Sequence, residues 1–77
     1  VLLEDEALAA RRLMRLLADL RPQANVLTTL ESVEEAVSFF QGKQAIDLIF
    51  MDIQLADGLC FELFHRVDLP APVVFTT

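Results

Sequence analysis

Apolar and polar positions change period several times along the chain, and each change marks an element. Val1 to Leu3 is β-prone and apolar, a strand closed by Glu4, Asp5 and Glu6. From Ala7 to Leu20, Ala10, Leu13, Met14 and Leu17 recur at three- and four-residue spacing, with Arg11, Arg15 and Asp19 opposite them. That spacing predicts an amphipathic helix, which Pro22 cannot continue. Asn25 to Leu30 is β-branched and half polar, as an edge strand would be. Ser32-Val33-Glu34-Glu35 has the form of a capping box, with Val33, Ala36, Val37 and Phe40 as the buried stripe and Gln41-Gly42 as the stop. Ile46 to Met51 holds a continuous apolar run, the habit of a central parallel strand covered on both faces, and it stops at Asp52. Ile53 to Gly58 reads as a short loop into a third helix with Phe61, Phe64 and Val67 on one side. Pro70-Ala71-Pro72 is a stiff connection to a fourth strand, Val73 to Thr77.

The order β-α-β-α-β-α-β, with connections too long for hairpins, predicts an α/β fold: a doubly wound parallel sheet with helices on both faces. Residues 1–77 form one domain with no room for a second. A hydrophobic content of 55% is high for so small a body. Without a disulfide, a core of this size leaves a net stability of only ~3–5 kcal/mol. The chain therefore reads as part of a larger sheet, marginal alone.

Charge and targeting signals narrow the function. Twelve acids against six bases give a net charge of −6, which repels phosphate backbones and makes a poor stand-alone nucleic-acid binder. No apolar run approaches the ~20 residues of a membrane span, and no signal-peptide pattern is visible. The chain starts at Val1 rather than Met, so trimming at its front is expected. With a single cysteine, Cys60, the expected compartment is the reducing cytoplasm.

In an open parallel sheet, ligands bind beyond the carboxyl ends of the strands. Glu4-Asp5 follows the first strand and Asp52 the third. If those strands are neighbours, three carboxylates converge. At ~6 Å and an effective dielectric of ~20, each pair of full charges repels by about 3 kcal/mol. A hard divalent cation offsets that cost, and Mg²⁺ binds through one or two carboxylates plus water and phosphate oxygens.

Val-Leu-Leu-Glu-Asp-Glu, then Asp-Leu-Ile-Phe-Met-Asp-Ile-Gln-Leu, then a strand ending Phe-Thr-Thr resemble the receiver domain of bacterial response regulators. The similarity runs over all 77 residues and is nearest to receivers attached to LytTR-type DNA-binding domains, where Ala-Leu-Ala-Ala-Arg-Arg and Met-Asp-Ile-Gln-Leu are familiar. The resemblance implies a flavodoxin-like sheet of strand order 2-1-3-4, with the family's fifth strand and last two helices absent from this stretch. It implies that Asp52 accepts a phosphoryl group from a phosphohistidine on a sensor histidine kinase. Mg²⁺ would be held by Glu4, Asp5, Asp52 and the backbone carbonyl of Gln54. A strand-four hydroxyl, Thr77 or alternatively Thr76, would bind the phosphoryl oxygens. The implied output is transcriptional, through a DNA-binding domain of the parent protein, with a homodimer formed by the intact molecule.

Three departures from the family stand out. The lysine that ends strand five has no counterpart, and Lys43, before strand three, cannot replace it. Ala56 and Cys60 occupy positions where the family usually has Pro and Gly, leaving Gly58 as the residue for a tight turn. The face the family uses for dimerisation is absent from this stretch.

Other residues that attract notice have plainer readings. His65 sits on the outer side of the third helix, where a solvated histidine is expected. Cys60 has no base or second cysteine nearby and reads as a small buried hydrophobe. Arg11, Arg12 and Arg15 form a solvated basic face that could orient an acidic partner. Asp57-Gly58 lacks the alternating oxygen ligands of a calcium loop.

Three functions compete on these residues. The first is a phosphoryl-accepting switch, not an enzyme beyond slow self-dephosphorylation. The second is a receiver-like interaction module that is never phosphorylated. The third is an aspartyl-nucleophile phosphatase, disfavoured because residue 54 is Gln where a second acid would protonate the leaving group.

Overall fold

A computed structural model describes residues 1–42 and 44–76. Lys43 and Thr77 lie outside the described residues. The elements are β1 (Leu2–Leu3), α1 (Ala7–Leu20), β2 (Thr29–Leu30), α2 (Val33–Gln41), β3 (Ile49–Met51), β4 (Gln54–Leu55), β5 (Gly58–Leu59), α3 (Phe61–Arg66) and β6 (Val73–Phe75).

Four strands form a parallel sheet in the order β2-β1-β3-β6. This is the order expected of the four principal strands, with a small hairpin, β4-β5, inserted before the last of them. Leu2 and Leu3 of β1 pair with Thr29 and Leu30 on one side and with Phe50 and Met51 on the other. Beyond β3, Ile49, Phe50 and Met51 pair with Val73, Val74 and Phe75. β3 is thus central and β2 lies at an edge, as their apolar patterns predict. Both are shorter than the sequence suggests. Asn25 and Ile46 precede the paired segments Thr29–Leu30 and Ile49–Met51.

The strand alternation sets which side each residue faces. Ile49 and Met51 are fully buried and join Leu3, Val33, Ala36, Val37, Phe40, Cys60 and Leu63 in one core, on the side covered by α2 and α3. Phe50, between them, belongs to the opposite face. There it lines a groove with Leu17 of α1. The two faces are unequally covered, by two helices and by one. Accordingly the α2 stripe is buried throughout, whereas on α1 only Ala10 is buried and Met14 is exposed. Ser32 caps α2 by accepting from the Glu35 amide at 3.1 Å.

Two expectations need correction. The loop after Asp52 is a β-hairpin, with Gln54 paired to Leu59 and Leu55 to Gly58. Gly58 has φ 151°, a conformation that side-chain-bearing residues rarely adopt. The third helix does not bury the Phe61–Phe64 side. Its core-facing residues are Cys60 and Leu63, both 0% exposed, whereas Phe61 and Phe64 are 46% and 44% exposed and lie against Phe75. α3 has six residues, and Leu63 joins Ile49 and the α2 stripe in the core, with Val67 packed against it. Among the described residues, no helix is long and apolar enough to cross a membrane.

Candidate functional site

The parallel pairing of β1 with β3 determines what meets at the carboxyl end of the sheet. Hydrogen bonds carry the ladder past the strand ends. The Glu4 amide donates to Leu30 O at 2.8 Å, and the Asp52 amide donates to Leu3 O at 2.9 Å. Glu4, Asp5 and Asp52 are thereby brought side by side, with one carboxylate oxygen from each lying within 4.8 Å of the others.

Their environments differ. Glu4 is nearly buried, at 9% exposed, and Asp5 is exposed. Glu4 accepts from the Glu6 amide at 3.3 Å. Burial, a proton shared with Asp52 and the nearby charge of Asp52 outweigh that hydrogen bond and push the Glu4 carboxyl up to about 7. The Glu4 carboxyl therefore retains a proton near neutrality. Asp52 accepts from the amide of Gln54 at 3.3 Å, which turns the chain immediately after it.

Asp5, Glu6 and Asp52 line an open cleft of about 620 Å³ together with Ile53, Gln54, Leu55 and Ala56. The donor set fits a hard divalent cation. Three carboxylates are close enough to share one ion, and a cation would replace the proton that Glu4 otherwise keeps. Gln54 lines the same cleft, where the resemblance places a carbonyl ligand.

The sequence-derived site residues divide cleanly. Glu4, Asp5, Asp52 and Gln54 come together. Thr77 lies outside the described residues. Thr76 is exposed, and its amide donates to Met51 O at 3.0 Å, so it sits beside the peptide that leads into Asp52. Cys60 is fully buried, and burial, then the charge of Asp52, push its thiol up, so it is an inert hydrophobe. His65, Arg11, Arg12 and Arg15 are exposed.

Sequence reasoning missed Asp57. Its carboxylate accepts from the first two helical amides of α2, Val33 at 2.7 Å and Glu34 at 3.1 Å. A cap supplied from 24 positions away leaves no local pattern. No family model, curated protein or solved structure matches the chain.

Proposed function

We propose that this chain is a phosphoryl-accepting signalling switch of the response-regulator receiver kind, its sheet the 2-1-3-4 portion of a flavodoxin-like fold. The convergence of Glu4, Asp5 and Asp52 at the ends of two adjacent central strands carries the reading.

Asp52 is the acceptor. It adjoins a solvent-open cleft, and its side chain is oriented by the Gln54 amide. In the transfer, a carboxylate oxygen of Asp52 bonds to phosphorus in line with the departing imidazole of a kinase phosphohistidine. The P–N bond breaks and the imidazole nitrogen takes up a proton. Glu4, Asp5, Asp52 and the Gln54 carbonyl would hold Mg²⁺. When bound, Mg²⁺ neutralises charge on the transferring group. Thr77, or Thr76, supplies a hydroxyl to the phosphoryl oxygens. The product carries about −1.5 to −2 added charge at the end of the sheet. An output domain, LytTR-type on the resemblance, reads the resulting change of surface. The switch belongs in the cytoplasm, needs no turnover of its own and does not bind nucleic acid through this segment.

The test is incubation of the intact chain with a small acyl phosphate and Mg²⁺, followed by intact-mass measurement. One phosphoryl adduct, cleaved by hydroxylamine as a mixed anhydride should be and missing in Asp52→Asn, supports the switch. Continuous phosphate release over many turnovers would mean a phosphatase. Absence of adduct with cation binding intact would mean an interaction module.

A further inference from the structure

We infer that Asp57 is a positioning residue for the acceptor, clamping the tip of the β4-β5 hairpin onto the start of α2 and so holding the loop that orients Asp52. The inference rests on the reading of Asp52 as acceptor.

The geometry forms a closed circuit. Asp52 accepts from the Gln54 amide, and Gln54 is the first residue of the hairpin. The hairpin is cross-tied by its Gln54–Leu59 and Leu55–Gly58 pairs, and by the Cys60 amide donating to Ile53 O at 2.7 Å. Leu55 is buried in the core beside α2. At the tip, Asp57 accepts from the Val33 and Glu34 amides, and the Ala56 amide donates to Glu31 O at 3.2 Å. Glu34 in turn forms a two-pronged pair with Arg66 of α3, at 2.8 and 3.1 Å. A short, otherwise exposed hairpin is thus held at both ends, by Asp52 at the site and by α2 at the tip. The Val33 amide above all holds the Asp57 carboxyl below its usual range, with Glu34 adding to the effect. Ser32 takes only the Glu35 amide, whereas Asp57 takes the Val33 and Glu34 amides and, unlike Ser32, ties the hairpin to the helix in doing so.

That difference provides the control. Asp57→Ala and Ser32→Ala each remove one cap from α2, but only the first releases the hairpin. Amide hydrogen exchange is read at Gln54 and Cys60 for the hairpin and at Ala36, whose amide bonds to Ser32 O, for the helix. Asp57→Ala is expected to speed exchange at Gln54 and Cys60 at least tenfold and to weaken Mg²⁺ binding about tenfold. Ser32→Ala should leave both readouts unchanged while loosening the helix. Asp57→Asn, which keeps one carbonyl acceptor but turns an amide donor toward the second backbone N–H, should lose part of the hairpin protection and of the Mg²⁺ affinity. Equal effects of the two alanine variants at Gln54 and Cys60 would overturn the inference and leave Asp57 a helix cap. If Asp57→Ala unfolds, Asp57→Asn decides. Free exchange at Gln54 with weakened Mg²⁺ binding that recovers on restoring Asp57 supports the inference, and wild-type values at both overturn it. A wild-type chain that binds no Mg²⁺ defeats the switch reading, while the exchange contrast still reports on Asp57.

Discussion

The amide of Asp52 donates to the carbonyl of Leu3 at 2.9 Å, so Asp52 is held by the same peptide that leads into Glu4 and Asp5. The acidic cluster is therefore a consequence of strand register. Sliding β3 by one residue would turn Met51 out of the core and Asp52 away from Glu4.

The cost of burying the Glu4 carboxyl, next to Asp52, should appear in the pH dependence of stability without divalent cations. Glu4 has a folded-state value of about 7 against 4.5 unfolded, so the folded chain holds the extra proton between those limits. The contribution is full below about pH 4.5, declines as pH rises and is lost above about pH 7. Thermal melts from pH 5 to 8 should show this loss, on the order of 1 kcal/mol after solvent screening at the open cleft. Glu4→Gln should flatten the profile and be the more stable form at pH 8.

Mg²⁺ should reverse the same penalty. At a hundred times its dissociation constant, a site-bound ion stabilises by about 2.7 kcal/mol. For a domain of this size that raises Tm by roughly 10 °C or more. Asp5→Asn should lose most of the increase, measured by calorimetry at pH 7.5 with and without the ion.

The core face of α3 can be tested by two truncations. Leu63→Ala removes a fully buried side chain and should cost ~2–5 kcal/mol. Phe64→Ala, at a half-exposed site against Phe75, should cost far less. Denaturant midpoints compare them directly, and a larger loss at Phe64 would restore the face that sequence periodicity favours.

The β6 edge should govern association. β6 is the terminal strand in the sheet order, with Val74 and Phe75 exposed on it. Apolar strand edges invite pairing with other chains. Val74→Lys should reduce light scattering at high protein concentration while shifting Tm by only a few degrees.

Much of this architecture is legible in the residues, for identifiable reasons. The unbroken run Leu48 to Met51 announces a covered strand, and Val33, Ala36, Val37 and Phe40 announce the face of α2, because burial there repeats with the element's own period. Acids at the ends of two strands announce the cluster once those strands are neighbours. The third helix misleads at Phe61 and Phe64, which lie against Phe75 at the surface while Leu63 and Cys60 join the core, although Val67 on the same side does pack against it. Asp57 is hidden for a different cause. Its partners are amides of a distant helix, and backbone donors leave no trace in side-chain pattern.

The most direct test of a shared cation pocket is paramagnetic broadening by Mn²⁺, added at low stoichiometry to the isotopically labelled chain in place of Mg²⁺. Loss of amide signal confined to residues 4–6 and 52–56, abolished together in Asp5→Asn and in Asp52→Asn, is the predicted result. Broadening spread evenly over the acidic surface, or unchanged in those two variants, would contradict it.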